Sequence, residues 1–259
     1  MKKLIAAFVA VAAATVLAAG ALAITYGQRD ESRHPEVGAL LDVSPTAIVT
    51  NCSGTLISPT VFLTAAHCDT GNPTVWVSFD AQLTAQSKLY IGTFHGDPLF
   101  ANAQGDAHDI AVVVLAESVA EAAPASLPAA GLLDAMKAGK TLTNATRFTA
   151  VGYGGEQRSF DGQGKWFIVS HGVREYAVSS FNSLNKGYLR LSQNPTHGDG
   201  GTCYGDSGGP NFLGADAGET TTIAAITTTG DTPCASTGVA YRLDTDSARA
   251  FLGRFVSLP

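Results

Sequence analysis

The decapeptide GTCYGDSGGP, Gly201 to Pro210, holds the densest chemical signal in this 259-residue chain. A serine hydroxyl is a weak nucleophile at neutral pH, so a serine that attacks a carbonyl needs a neighbouring base. The oxyanion it creates needs fixed N–H donors. Gly205 and the Gly208-Gly209 pair flank Ser207 and permit a tight turn that aims the N–H groups of Gly205 and Ser207 at one point. By itself the stretch reads equally as a glycine-rich loop.

The same residues fit G-x-S-x-G, the strand-to-helix turn of the α/β-hydrolases. Chain order excludes that fold, because its histidine follows the serine and all six histidines here precede Ser207. Upstream, LTAAHC (Leu63 to Cys68) sets His67 after an apolar run and beside a cysteine, which suits a base whose imidazole must be held in place. HDIAVVVL (His108 to Leu115) opens a run apolar enough to be a buried strand with Asp109. A carboxylate there can accept the second N–H of a histidine, fix its tautomer and stabilise the imidazolium.

Around these segments the chain alternates short apolar or β-branched runs with Gly, Pro, Asn and Asp: TAIV, GTLIS, VFLTAA, TVWVSF, KLYIGTF and DIAVVVL, then RFTAVGYG, KWFIVSHGV, YLRLS, TTIAAITTTG and VAYRL. This spacing predicts an all-β sandwich or barrel protein. The Ala- and Pro-rich stretch from Ala116 to Ala145 is the expected connection between two β domains, with a boundary near residue 130, and its Ala-rich part also fits a short helix. In DTDSARAFLGRFVSL, residues Ala248, Phe251, Leu252 and Phe255 recur at helical intervals after Asp244 and Thr245, predicting a C-terminal helix packed on the second domain.

The leader MKKLIAAFVAVAAATVLAAGALA has a basic start, an apolar run and small residues at Ala21 and Ala23, the pattern of a secretory signal peptide over residues 1–23. The rival reading is a retained anchor; the small residues favour cleavage, hence a secreted chain with no stable membrane anchor. Net charge is −6 with the leader's two lysines included, and clustered Lys and Arg are lacking, which argues against nucleic acid as a partner. Cys52, Cys68, Cys203 and Cys234 allow three disulfide pairings, expected in an oxidising compartment. No two of them have the close spacing of a structural zinc site, and no dense carboxylate cluster suggests calcium, so neither metal nor cofactor is expected.

TAAHC, HDIAVV and GDSGGP, in that order, resemble the chymotrypsin family of serine peptidases. The resemblance implies two antiparallel six-stranded β-barrels, here 24–130 and 131–259 with the C-terminal helix, and a site in the cleft between them. It implies that His67 is the general base and then acid, Asp109 its orienting partner and Ser207 the acyl-forming nucleophile. It implies an oxyanion hole formed by the N–H groups of Gly205 and Ser207. It also implies the disulfides Cys52–Cys68 and Cys203–Cys234 and a monomeric enzyme that acts on protein or peptide substrates without a cofactor.

ITYG, from Ile24, resembles the new N-terminus of activated family members, whose ammonium pairs with the Asp before the serine, here Asp206. Cleavage after Ala23 would make that terminus directly. At the base of the pocket for the side chain preceding the cut bond, six residues before Ser207, stands Gly201 where a trypsin-like enzyme has Asp. Thr228 and Thr229 stand for the usual Ser and Trp of the pocket wall. With Gly230 and Gly238 they imply a wide, uncharged pocket and cleavage after large apolar residues such as Phe, Tyr or Leu. Asp231 lies near in sequence, and Tyr204 swinging across the opening would favour small residues instead. The alternatives are a catalytically silent binding module on the same fold and an exported esterase. His95, His171 and His197 read as solvated loop residues, and His108 as a mere neighbour of Asp109. Asn51 and Asn144 match the glycosylation acceptor pattern.

Overall fold

The computed structural model describes residues 24–44, 48–101, 105–155 and 172–259, and the backbone of 158–160 and 166–168. The leader 1–23 and His171 lie outside the described residues. After β1 (Gln28–Arg29), strands β2 (Val37–Val43), β3 (Ile48–Ser58), β4 (Val61–Thr64), β5 (Thr74–Ser78), β6 (Tyr90–Gly96) and β7 (Ala111–Leu115) form a closed antiparallel barrel in the order β2-β3-β4-β7-β6-β5. Helix α1 (Leu132–Ala138) follows in the Ala-rich connection and buries Leu133.

Strands β8 (Arg147–Gly152), β11 (Glu175–Leu184), β12 (Tyr188–Ser192), β13 (Pro210–Leu213), β14 (Ile223–Gly230) and β15 (Thr237–Arg242) close a second six-stranded antiparallel barrel, since β8 pairs with both β11 and β13. Strands β9 (Arg158–Phe160) and β10 (Trp166–Ile168) form a separate hairpin, and α2 (Asp246–Leu252) ends the chain. Among the described residues, no helix is long and apolar enough to cross a membrane.

Large side chains fill the first barrel because glycines stand opposite them. A Cβ on Gly54 would lie 2.5 Å from the Phe62 ring, which itself meets Phe79 edge-on at 5.7 Å. In α2, the Thr245 hydroxyl accepts the Ala248 N–H at 3.3 Å and caps the helix. Beyond the end of the helix, Phe255 packs on His95 of β6 at 5.6 Å.

The first six described residues cross over. β12 pairs with β11 only from Ser180 to Leu184, so the start of β11 is left for β1, with Gln28 opposite Tyr176 and Arg29 opposite Glu175. Thr25 and Gly201 exchange two backbone hydrogen bonds at 3.0 Å. Residues 24–29 therefore lie on the second barrel although they precede the first.

Arg174, fully buried just before β11, fastens this arm and both barrels together. Its Nε donates to Asp30 at 2.7 Å, its Nη1 to the carbonyls of Val37 and Phe79 at 3.1 and 2.9 Å, and its Nη2 to the Glu31 carbonyl at 2.8 Å. On the other side of Asp30, His34 is held between the carboxylates of Asp30 and Glu219 and stacks on Phe212 at 5.4 Å. Burial works against the charged ring, but its hydrogen bonds to Asp30 and Glu219 prevail and hold the His34 pKa up to about 9.

A raised histidine pKa stabilises the fold fully below its unfolded value near 6.5, and the contribution is lost as pH rises through about 9. Urea unfolding from pH 6 to 10 is expected to show a loss of about 3 kcal/mol across that window. In His34→Gln the slope should flatten.

Candidate active site

β4 and β7 pair with Thr64 opposite Ala111, and this register brings the turn after β4 beside the residues preceding β7. That turn, Ala66 to Cys68, carries His67 and is tied to β3 by the disulfide Cys52–Cys68. The Asp109 carboxylate, 1% exposed, accepts the His67 backbone N–H through Oδ1 at 3.0 Å and lies 2.8 Å from Nδ1 through Oδ2. A carboxylate acceptor assigns the proton to Nδ1 and leaves Nε2 facing the cleft as the basic nitrogen. The His67 side chain is 33% exposed, so the dyad has a buried end and an open end. His108, at φ +53°, places its Nδ1 3.0 Å from Asp97 and thereby pins the loop that carries Asp109. Cys52, His67 and Cys68 also cluster as metal ligands would, but the two sulfurs are bonded to each other and offer no thiolate.

Ser207 lies on a loop tethered by Cys203–Cys234. Along this loop each carbonyl is committed elsewhere. Cys203 O accepts from Asp206 N at 3.1 Å, Tyr204 O from Gly155 N at 2.7 Å, Asp206 O from Gly209 N at 2.9 Å and Ser207 O from Ser53 N at 2.8 Å. The Gly205 carbonyl accepts from the Ser53 hydroxyl at 3.0 Å. A trans peptide points its N–H opposite to its carbonyl, so fixing Tyr204 O and Asp206 O directs the Gly205 and Ser207 N–H groups to the other side of the loop. Gly205 at φ +98° permits this path. His67 and Ser207 line one cavity of about 460 Å³, and among the described residues no hydrogen bond joins the Ser207 hydroxyl to His67.

Ser53, in sequence only the end of the Asn51 acceptor pattern, takes part in the site. Fully buried on β3, its hydroxyl donates to the Gly205 carbonyl and accepts the Tyr153 N–H at 2.9 Å, so the first barrel holds the loop of the second that carries Gly205 and Ser207. A single serine after a cysteine carries no signal of this in one dimension.

Asp206 turns inward, where its carboxylate accepts the N–H groups of Gly154 and Cys203, both at 2.8 Å. Burial pushes its pKa up to about 7 despite these two bonds, and the charge of Glu175 adds to the rise. Ile24 is fully buried, and its N–H donates to Glu175 Oε2 at 3.2 Å. The nitrogen expected beside Asp206 thus contacts a second buried carboxylate, Glu175, which sequence reasoning missed.

Away from His67, Thr228, Thr229, Gly230 and Asp231 line the cavity, with Tyr204 exposed at its edge. Gly201 and Gly238 do not line it; the Gln193 side chain stands against both. The Asp231 carboxylate caps its own turn, accepting the N–H groups of Ala235, Ser236 and Thr237 at 3.1, 3.0 and 2.6 Å. Burial opposes its charge, but those backbone donors hold its pKa below the usual carboxylate value.

A protein-family model described as Trypsin matches residues 27–249. No curated protein matches the chain.

Ser53→Ala removes one neutral hydrogen bond to the Gly205 loop and leaves Gly205 O and Tyr153 N without it. If the Gly205 and Ser207 N–H groups receive an oxyanion, steady-state kinetics should show kcat reduced about 5- to 10-fold with KM nearly unchanged, since such donors act in the transition state. A fall in stability alone, with kcat intact, would assign Ser53 to packing.

Proposed function

The chain belongs to the trypsin family of serine peptidases, and we propose that it is a secreted endopeptidase working through an acyl-enzyme on Ser207. The observation that carries this reading is the one cavity shared by Ser207 and the free face of a histidine whose other face is bound to a buried carboxylate. His67 Nε2 takes the Ser207 hydroxyl proton as Oγ attacks the peptide carbonyl carbon. Asp109 stabilises the imidazolium, and the N–H groups of Gly205 and Ser207 receive the oxyanion. His67 then gives its proton to the departing amine. Water, deprotonated by His67, attacks the ester, and collapse of the second tetrahedral species returns the proton to Ser207.

Export is supported by the leader pattern and by two disulfides. Cleavage after Ala23 would convert the Ile24 nitrogen into an ammonium at a position already within 3.2 Å of Glu175, while the charge of Glu175 is felt at Asp206. A buried carboxylate bears a large desolvation cost unless a cation accompanies it. One ammonium close to Asp206 and Glu175 would favour the charged form of Asp206 and would stiffen the loop on which Ser207 stands. Export would then be activation.

Gly201 puts no acid at the pocket base, and the Asp231 carboxylate is occupied by backbone donors, so an uncharged side chain fits best. The preference for Phe, Tyr or Leu implied by three glycines needs space that Gln193 occupies.

A fluorophosphonate should label Ser207 in the mature enzyme and not in Ser207→Ala, whose kcat on peptide substrates should fall by roughly 10⁴- to 10⁶-fold. Absence of labelling in a folded, mature wild-type protein would instead favour a silent binding module. N-terminal sequencing of the secreted enzyme should begin at Ile24. A chain retaining Leu22-Ala23 should lose at least about tenfold in kcat, by analogy with other misplaced catalytic loops. In that longer chain the raised Asp206 pKa gives stability that is present below about pH 4 and lost as pH rises through about 7. The chain starting at Ile24 should lack that loss.

A further inference from the structure

Gln193 follows β12, and its side chain turns into the protein, 1% exposed, beneath the cavity beside Ser207. Its Nε2 donates to the Thr202 carbonyl at 2.9 Å, an acceptor that fixes which end of the amide is nitrogen. The amide lies against all three pocket glycines. A Cβ built on Gly201 would be 2.1 Å from Nε2, one on Gly238 would be 3.3 Å from it, and one on Gly230 would be 3.9 Å from Oε1. The amide therefore occupies the space that a side chain at Gly201 would take.

Two further observations locate the bottom of the pocket. The cavity beside Ser207 reaches Thr202, Thr227 and Gly230 but neither Gly201, Gly238 nor Gln193. Below it, Gln193, Thr202, Thr227 and Gly238 border a gap with no room for a water molecule. The lower half of the volume that three glycines would open is thus already filled. Among the described residues, Gln193 Oε1 and Thr228 Oγ1 are buried without a hydrogen-bond partner.

We propose that Gln193 is the floor of the specificity pocket and that the enzyme cleaves after small uncharged side chains, those of Ala, Ser, Thr and Val. The proposal rests on the reading that Ser207 attacks a peptide carbonyl at this cavity. A peptide in that position directs the side chain of the attacked residue between the Cys203–Gly205 and Thr227–Gly230 segments, toward Thr202. A short side chain ends above the amide. A Phe or Leu side chain must displace it, breaking the Thr202 bond and pressing apolar surface on unmatched oxygens. The hydroxyl of Ser or Thr has an acceptor within the same wall in Thr228.

The test is a peptide library varied at the residue preceding the cut, applied to mature enzyme whose Ser207 has been shown to react with a fluorophosphonate. Wild type should show kcat/KM at least tenfold higher for Ala, Ser, Thr or Val than for Phe, Tyr or Leu. In Gln193→Ala the floor drops, and the Phe-to-Ala ratio should rise at least tenfold. Gln193→Met, similar in length, should retain the small-residue preference. A wild-type preference for Phe, Tyr or Leu overturns the proposal, as does a folded, reactive Gln193→Ala with the wild-type profile. If Gln193→Ala does not fold, the wild-type profile decides alone. Failure of Ser207 to react in folded protein refutes the peptidase reading and this inference with it, whereas reaction with the wrong profile refutes only the inference.

Discussion

The Arg174 guanidinium reaches out of the second barrel to Asp30, Glu31, Val37 and Phe79 on the entering arm and the first barrel, and donates also to the Tyr153 hydroxyl. A cleft between two barrels exists only if their relative position is fixed, and apolar contact alone is non-directional. A buried guanidinium is directional: its planar donors must each find an acceptor at a defined angle, and its charge must find Asp30. Asp30 is in turn shared with His34, which reaches Glu219. The chain thus spends a set of buried charges on geometry more than on net stability, since breaking any one would strand the others.

The same division of labour recurs at the cleft. His67 and Asp109 come from the first barrel, Ser207 from the second, and the contacts between them are made by backbone and by small polar side chains. Ser53 holds the Gly205 carbonyl from across the boundary, and Tyr153 of the second half reaches the carbonyls of Val37 and Asp80 through its hydroxyl at 3.3 and 2.9 Å. Orientation of the Gly205 and Ser207 N–H groups is a consequence of where the Tyr204 and Asp206 carbonyls are sent, not of the two donors themselves. The ordering entropy of such a loop is offset by these contacts before a substrate arrives.

Most of the strands were legible because β-branched and aromatic residues concentrate in them, as in TVWVSF and DIAVVVL. Of the strands that close the two barrels, three were not. VGALLDV of β2 is short on β-branched residues, the polar alternation of EYAVSSFNSL in β11 resembles loop, and β13 is four residues behind Gly208-Gly209. Each is a strand because neighbouring strands pair with it on both sides, a condition no local window contains. Likewise Ile48-Val49, the end of one run in the sequence, and GTLIS, another, belong to one 11-residue strand.

At the site, the motif residues His67, Asp109 and Ser207 could be singled out because their chemistry depends on residue type and order along the chain, and both survive in one dimension. The sequence by itself determined the glycine-rich loop around Ser207, the two β groups, the four cysteines and the absence of an acid at Gly201. What stands opposite a glycine was decided only by tertiary structure: Gln193 fills the space beside Gly201, and Glu175 meets the Ile24 nitrogen. A glycine records that room exists around its own backbone. It carries no information about which distant side chain takes that room, because that depends on strand register and barrel closure rather than on any neighbour in the chain.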